Sequence, residues 1–193
     1  EGSVASRSGA AYVFHRDGIW SQQAFLKASP PGADDHFGGS VSISGDRILV
    51  GARYADGPNA DAGLAYAFLR SSAVWSDSGV IRAPNPGPGD NFGGAVAVEA
   101  DRVLAGAPSE DSNATGVGGD SLNNGAIDSG AAFVFTFAPA PTGDMNGDGH
   151  VSGADLAMLL GAWGTVGENG LDLDGSGVVD GADLAILLGA WTG

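Results

Sequence analysis

The sequence predicts a mainly β N-terminal part built from a repeated four-stranded unit, followed by a small all-α part made of two loop–helix motifs. Three observations carry that expectation: a self-similarity at 54–55 residues upstream, a second at 28 residues downstream, and a proline-punctuated break between them. The 193-residue length suits one large or two small domains, and 43% apolar against 16% charged residues is the balance of a folding chain. Glycine at 34 positions, with Val, Ile, Phe, Tyr and Trp in short runs, points to strands joined by tight turns.

The upstream repeat starts three times, as GAAYVF (9–14), GLAYAF (63–68) and GAAFVF (130–135). Trp20 returns as Trp75, and DDHFGGSVSISGDRILVGA (34–52) returns as GDNFGGAVAVEADRVLAGA (89–107). These are two full copies plus the first strand of a third. Within one copy the pattern reads as strands at Ala11 to His15, Trp20 to Lys27, Ser40 to Ser44 and Arg47 to Ala52. Asp17-Gly18 and Gly45-Asp46 mark hairpins, because a two-residue loop needs positive φ.

A four-stranded unit of this size has the dimensions of a propeller blade. The pairs Phe37-Gly38-Gly39 with Gly51-Ala52, and Phe92-Gly93-Gly94 with Gly106-Ala107-Pro108, resemble the FG-GAP repeat of integrin-α-type β-propellers, over residues 8–137. The resemblance implies two propeller-type blades plus one strand of a third. Propellers close with about four to eight blades, so the expectation is a fragment of a larger propeller with blades missing upstream. The start at Glu1 rather than methionine likewise reads as a fragment or a processed product.

Many blades of that family carry a D-x-D-x-D-G calcium loop. The corresponding stretches here, Asp56 to Asp61 and Glu110 to Asp128, lack the alternating spacing and read as polar, turn-rich surface loops. Asp34, Asp35 and Asp90 read as turn residues, and Phe37 and Phe92 as core wedged between sheets.

Residues 138–143, APAPTG, cannot pair in a sheet and form a short, stiff spacer. The predicted domains are therefore 1–137, the linker 138–143, and 144–193. The last stretch holds eight of the 23 acidic residues and no Lys or Arg.

That acid is spaced for a metal. DMNGDGHVSGAD (144–155) sets oxygen-bearing side chains at loop positions 1, 3, 5 and 12, with Gly149 at position 6 for the sharp turn. Calcium takes six to eight oxygens, and this spacing wraps them around one ion. The expected ligands are Asp144, Asn146, Asp148, the backbone of His150, Ser152 through water, and Asp155. A second loop, DLDGSGVVDGAD (172–183), offers Asp172, Asp174, Ser176, the backbone of Val178, Asp180 at the water position, and Asp183. Two calcium ions are the expected cofactors.

Each loop runs into a helix with one apolar face: Leu156, Leu159, Leu160 and Trp163, then Leu184, Leu187, Leu188 and Trp191. VSGADLAMLLGAW and VDGADLAILLGAW agree at 11 of 13 positions, so the helices should pack about a pseudo-two-fold. No helix enters either loop, and position 12 is Asp. This duplicated loop plus exit helix resembles type I dockerins. The resemblance implies a cohesin-like protein partner contacted by loop positions 10 and 11, here Gly153-Ala154 and Gly181-Ala182, and docking in either of two orientations. Many members carry hydroxyl residues at those positions, so the pair here implies a less polar interface.

A net charge of −15 repels phosphate backbones and anionic lipid, which disfavours nucleic acid and membrane surfaces. No apolar run has the length of a membrane span, and the absence of cysteine removes disulfides, zinc–thiolate sites and thiol catalysis. His15, His36 and His150 are scattered, Asp34 and Asp35 face apart on extended backbone, and no catalytic motif is present. The expectation is a secreted or cell-surface, non-catalytic binding or adhesion protein, with a protein or carbohydrate ligand on the propeller surface. Two alternatives are an accessory region of an extracellular polysaccharide-degrading enzyme, and a structural protein whose C-terminal module is an intramolecular calcium staple.

Overall fold

The structure is a computed structural model that describes residues 5–71, 73–137, 141–146, 150–166 and 171–192. The chain divides into two compact units, one ending at Phe137 and the other beginning at Ala138, the second also taking in Arg70–Val74. Asp148 and Gly149 of the first loop and part of the linker lie outside the described residues.

The N-terminal unit is built from β1 (Ala11–Asp17), β2 (Ile19–Leu26), β3 (Ser40–Ser44), β4 (Arg47–Ala52), β5 (Leu64–Ser71), β6 (Val74–Ile81), β7 (Ala95–Glu99), β8 (Arg102–Ala107) and β9 (Ala131–Thr136). The predicted hairpin turns form where expected, with Gly18 at φ +71° and Gly45 at φ +57°. The strands of the first copy fall within two residues of the predicted bounds.

The grouping into sheets differs from the sequence repeat. Three sheets form, β1-β2, β3-β4-β5-β6 and β7-β8-β9. The full four-stranded blade joins the last two strands of copy one to the first two of copy two, half a repeat out of phase. The reason is the β4–β5 pairing, Arg47↔Leu69 through Ala52↔Leu64, which crosses the copy boundary. The third sheet repeats it, Arg102↔Thr136 through Ala107↔Ala131.

The stacking of these sheets follows from side-chain alternation. In β4 the run RILVGA is apolar on both faces, as a strand covered on both sides requires. Ile48, Val50 and Ala52 join the core shared with the first sheet, and Leu49 joins the core shared with the third. β5 divides in the same way, Tyr66 and Phe68 to one side and Ala65 and Ala67 to the other. Between the sheets lie the two predicted wedges. Phe37, 2% exposed, meets Tyr66 and Phe68 at ring centroid distances of 5.3 and 6.1 Å, and Phe92, 0% exposed, meets Phe133 and Phe135 at 5.8 and 6.0 Å. Each burial stabilises the unit by about 2–3 kcal/mol.

The paired FG and GA elements touch through their backbones. Gly38 N–H donates to the Gly51 carbonyl at 3.0 Å, and Gly93 N–H to the Gly106 carbonyl at 2.9 Å. Phe37 and Phe92 donate in turn to the carbonyls of Ser8 and Ala62, both at 2.9 Å, just ahead of the GxAYxF strand starts. A side chain at Gly9 or Gly63 would overlap the carbonyl of Phe37 or Phe92, which is why both starts are glycine.

Asp35 and Asp90 are buried turn residues, accepting the N–H of Gly32 at 2.8 Å and of Gly87 at 2.7 Å. Asp34 is exposed and ion-pairs with Arg7. His15 is exposed on β1, and His36 packs edge-on against Tyr54.

The C-terminal unit contains α1 (Gly153–Gly161) and α2 (Gly181–Gly189). Its core is Val151, Leu159, Val179 and Leu187, with Leu156 and Leu184 packed against it. The predicted apolar faces are only half used: Leu160 and Leu188 are 51% exposed, Trp163 47% and Trp191 43%. Both helices stop at a glycine before reaching their tryptophan. The loop valines Val151 and Val179 join Leu159 and Leu187 in the core, while Leu160 and Leu188 stay outside it. Among the described residues, no helix is long and apolar enough to cross a membrane.

Candidate calcium-binding and docking site

The two loops are built alike around their twelfth position. Asp183 is fully buried and accepts three backbone N–H groups, Leu173 at 2.6 Å and Asp174 at 3.1 Å on Oδ1 and Asp180 at 2.7 Å on Oδ2. Asp155 accepts from Met145 at 2.8 Å and Asn146 at 3.1 Å on Oδ1, and from Ser152 at 2.9 Å on Oδ2. Every partner is displaced by 28 residues. An ionised carboxylate has about four acceptor sites, so the three N–H bonds to Asp183 leave capacity for a cation, while Asp155 also accepts the Ser152 hydroxyl at 3.3 Å. The same two residues close the capping boxes of α1 and α2, which ties helix formation to loop closure.

Electrostatics favour the charged forms. Burial opposes the charge on Asp155, but the N–H groups of Ser152, Asn146 and Met145 outweigh it and hold the carboxyl below the usual range. The N–H of Asp180 does most to lower Asp183, against the cost of burial, with further help from the N–H groups of Asp174 and Leu173. Asp174 is lowered by the backbone and hydroxyl of Ser176.

The remaining ligands of the second loop converge. Asp172, Asp174 and Asp183 each offer a carboxylate oxygen within 4.8 Å of the others, and among the described residues this is the one acidic or histidine group so gathered. Oxygens around a calcium ion, at 2.3–2.6 Å from it, lie within about 5 Å of each other. The donor set fits a hard divalent cation. Gly177, at position 6, takes φ +97°, and its N–H donates to Asp172 at 2.7 Å, so the turn itself aims that carboxylate. Ser176 donates its N–H to Asp174 at 2.9 Å and its hydroxyl to the Val178 carbonyl at 3.2 Å.

In the first loop Asp144 and Asn146 are half-buried and Asp155 is fully buried, while Asp148 is not described. His150 and Val178 hold position 7 in their loops, and both residues are exposed. Ser152 and Asp180, expected to reach a cation through water, are the helix N-caps, accepting the N–H of Ala154 at 3.3 Å and of Ala182 at 2.8 Å. Gly153, Ala154, Gly181 and Ala182 are all exposed, at the mouths of the two helices.

Sequence reasoning missed one feature of the site. The chain after each helix clips the loop of the other copy: Gly164 N–H donates to the Val179 carbonyl at 2.8 Å and Val179 N–H to Thr165 at 3.0 Å. Thr192 does the same for Val151. The signal was present as a valine at position 8 of both loops, which reads as an ordinary apolar residue until its backbone partners are known.

Residues 20–68 and 75–135, together more than half of the chain, match the FG-GAP repeat family. Residues 142–189 match the dockerin type I domain family. No curated protein matches the chain. Through its repeats the chain belongs to the FG-GAP repeat family, and it carries a dockerin type I domain behind them.

Proposed function

We propose that this is a secreted, non-catalytic binding or adhesion protein whose dockerin module folds around two calcium ions and docks onto a cohesin-like domain. The observation that carries the reading is the convergence of Asp172, Asp174 and Asp183 on one point at the entrance to α2, matched by the same hydrogen-bond frame around Asp155 in the first loop. Calcium bound there draws the loop carboxylates together and offsets their mutual repulsion. Because position 12 also caps each helix, metal binding and helix formation are one event.

The docking surface is the apolar face that the module's own core leaves free. Leu160 with Trp163 and Leu188 with Trp191 are related by the 28-residue repeat and stand 43–51% exposed. The leucines lie beyond Gly153-Ala154 and Gly181-Ala182 on two nearly equivalent helices and the tryptophans just past the helix ends, which suits docking in either of two orientations. Calcium dependence is the reason for placing the protein outside the cell, where calcium is plentiful. The FG-GAP sheets supply the ligand-facing part, for a protein or carbohydrate.

Retention of the chain on an immobilised type I cohesin in calcium, lost with chelator and regained on adding calcium, is the expected result. A chain that folds with calcium yet passes through every cohesin column refutes docking while leaving the metal site intact.

A further inference from the structure

The two copies of the repeat differ at one buried place. In the second copy Glu110, 1% exposed, is a plug: its Oε2 accepts the Ser112 N–H at 3.1 Å and hydroxyl at 2.7 Å, and its Oε1 accepts the Asn85 amide at 3.3 Å. In the first copy the backbone frame is kept and the plug is missing. Gly63 N–H donates to the Ala55 carbonyl at 3.1 Å as Gly130 N–H does to the Glu110 carbonyl at 2.8 Å, so Ala55 holds the place of Glu110. Pro30 and Gly57 stand where the plug's partners Asn85 and Ser112 stand, and Tyr66 where Phe133 stands. A cavity of about 370 Å³ opens here, walled by the loops after β2 and β4 and by β5 and β6; β1 contributes nothing to it.

Three side chains in its lining accept hydrogen bonds: Asp35, Asp56 and Tyr66. Asp35 is 6% exposed, and the Gly32 N–H occupies its Oδ2 alone. Tyr66 is 4% exposed, and among the described residues its hydroxyl makes no hydrogen bond. Asp56 is exposed and accepts the Asp61 N–H on Oδ1. The three groups act on one another. Burial raises the pKa of Asp35 against the pull of the Gly32 N–H, and the charge on Asp56 adds to the rise. Burial likewise raises the Tyr66 hydroxyl, and the charge on Asp35 adds to that. Pro30, Pro31, Leu64 and Val80 give the cavity an apolar wall, and exposed Arg82 is the one cation in the lining.

We propose that this cavity binds a primary alkylammonium group, the side-chain amine of a lysine or a small free amine, with the nitrogen on Asp35, Asp56 and the Tyr66 hydroxyl. An ammonium has three donors and no acceptor, which matches three acceptors around one space. Its alkyl stem lies along the prolines and Val80. A carboxylate does not suit the cavity, because the donors that hold Glu110 in the second copy are absent from the first. A metal ion does not suit it either, since among the described residues no third acidic group joins Asp35 and Asp56. The site lies wholly in the N-terminal unit. It rests on the ligand-facing role proposed for the FG-GAP sheets and is independent of calcium and of cohesin docking.

The test is a titration of the full chain, in saturating calcium to occupy the C-terminal loops, with n-butylamine, n-butanol and N-acetyl-lysine amide, followed by calorimetry. Both amines should bind saturably and the alcohol should not. Tighter binding of the blocked lysine marks a protein side chain as the source, and equal or tighter binding of butylamine marks a free amine. D35N should weaken the amines at least about tenfold. Y66F, which installs the residue of the second copy, should weaken them less. A55L, which fills the cavity without charge, should abolish binding, and R82A should tighten it. If D35N or A55L lowers the melting temperature, the exposed variants D56N and R82A decide, the first weaker and the second tighter than wild type. Failure of both amines to saturate overturns the proposal and leaves calcium binding and docking untouched. Equal binding of butanol, or amine binding unchanged in D56N and R82A, overturns it as well.

Discussion

Thr192 closes onto Val151: its hydroxyl accepts the Val151 N–H at 2.8 Å while its own N–H donates to the Val151 carbonyl at 3.0 Å. Residue 192 therefore holds the eighth position of the first loop, as Gly164 and Thr165 hold Val179 in the second. T192A removes the hydroxyl acceptor and leaves the Val151 N–H without it, a loss of about 1 kcal/mol. In a module of this size that lowers the calcium-loaded melting temperature by about 4–8 °C. Calorimetric titration should show the weakening at one ion only, and an unchanged melting curve would mean that the clip contributes nothing.

The division of the helix leucines between core and surface predicts opposite behaviour for neighbouring residues. Leu159 and Leu187 are fully buried, so L159A or L187A costs about 2–5 kcal/mol and leaves the module unfolded except at high calcium. L160A and L188A, at half-exposed positions, should barely shift the melting temperature but weaken cohesin retention when combined. Circular dichroism with a cohesin-binding assay separates the two classes.

Backbone geometry at the copy boundary gives a third expectation. Gly63 has φ +82°, and an added Cβ meets the Phe92 backbone. G63A should cost the N-terminal unit about 2–4 kcal/mol through strain and displacement of the FG loop. Substitution of Gly18, also at positive φ but with open space around it, should cost less. Denaturant unfolding of the two variants, followed by tryptophan emission, checks the order.

The N-terminal unit should also lose stability as pH rises. Burial raises the pKa of Asp35 and of Asp90, the N–H groups of Gly32 and Gly87 only partly oppose it, and neighbouring carboxylates add to it. A carboxyl raised above its ordinary 3.8 favours the fold in its protonated form. That contribution is complete below the unfolded value and disappears as pH climbs through the folded one. The double variant D35N/D90N should therefore flatten the fall in melting temperature as pH rises above the ordinary carboxylate value of 3.8. A variant equally destabilised at every pH would show that the carboxylates matter as N–H acceptors and not through their charge.

Much of the C-terminal site was legible because its chemistry is written locally. The alternating oxygens of 172–183, the glycine at 177 and the acid at position 12 fix a loop within twelve residues, and the structure gathers Asp172, Asp174 and Asp183 as that spacing requires. What the sequence hid is non-local. Helical periodicity could not show that Val151 and Val179 complete the core, or that Leu160 and Leu188 are left outside it. In the N-terminal unit, strand positions followed from alternation and hairpin dipeptides, and Phe37 and Phe92 from their place in the repeat. The half-repeat offset of the sheets did not, because a repeat has no intrinsic starting strand. Only the β4–β5 pairing across the copy boundary decides it.

Whether calcium organises the C-terminal module is decided by titrating calcium into the chelator-stripped chain by calorimetry, with the helix signal followed in parallel. Two ions should bind, with a gain of helix that tracks their binding, and D183N should lose the second. A chain that binds no calcium and shows no change in helix would contradict that organising role.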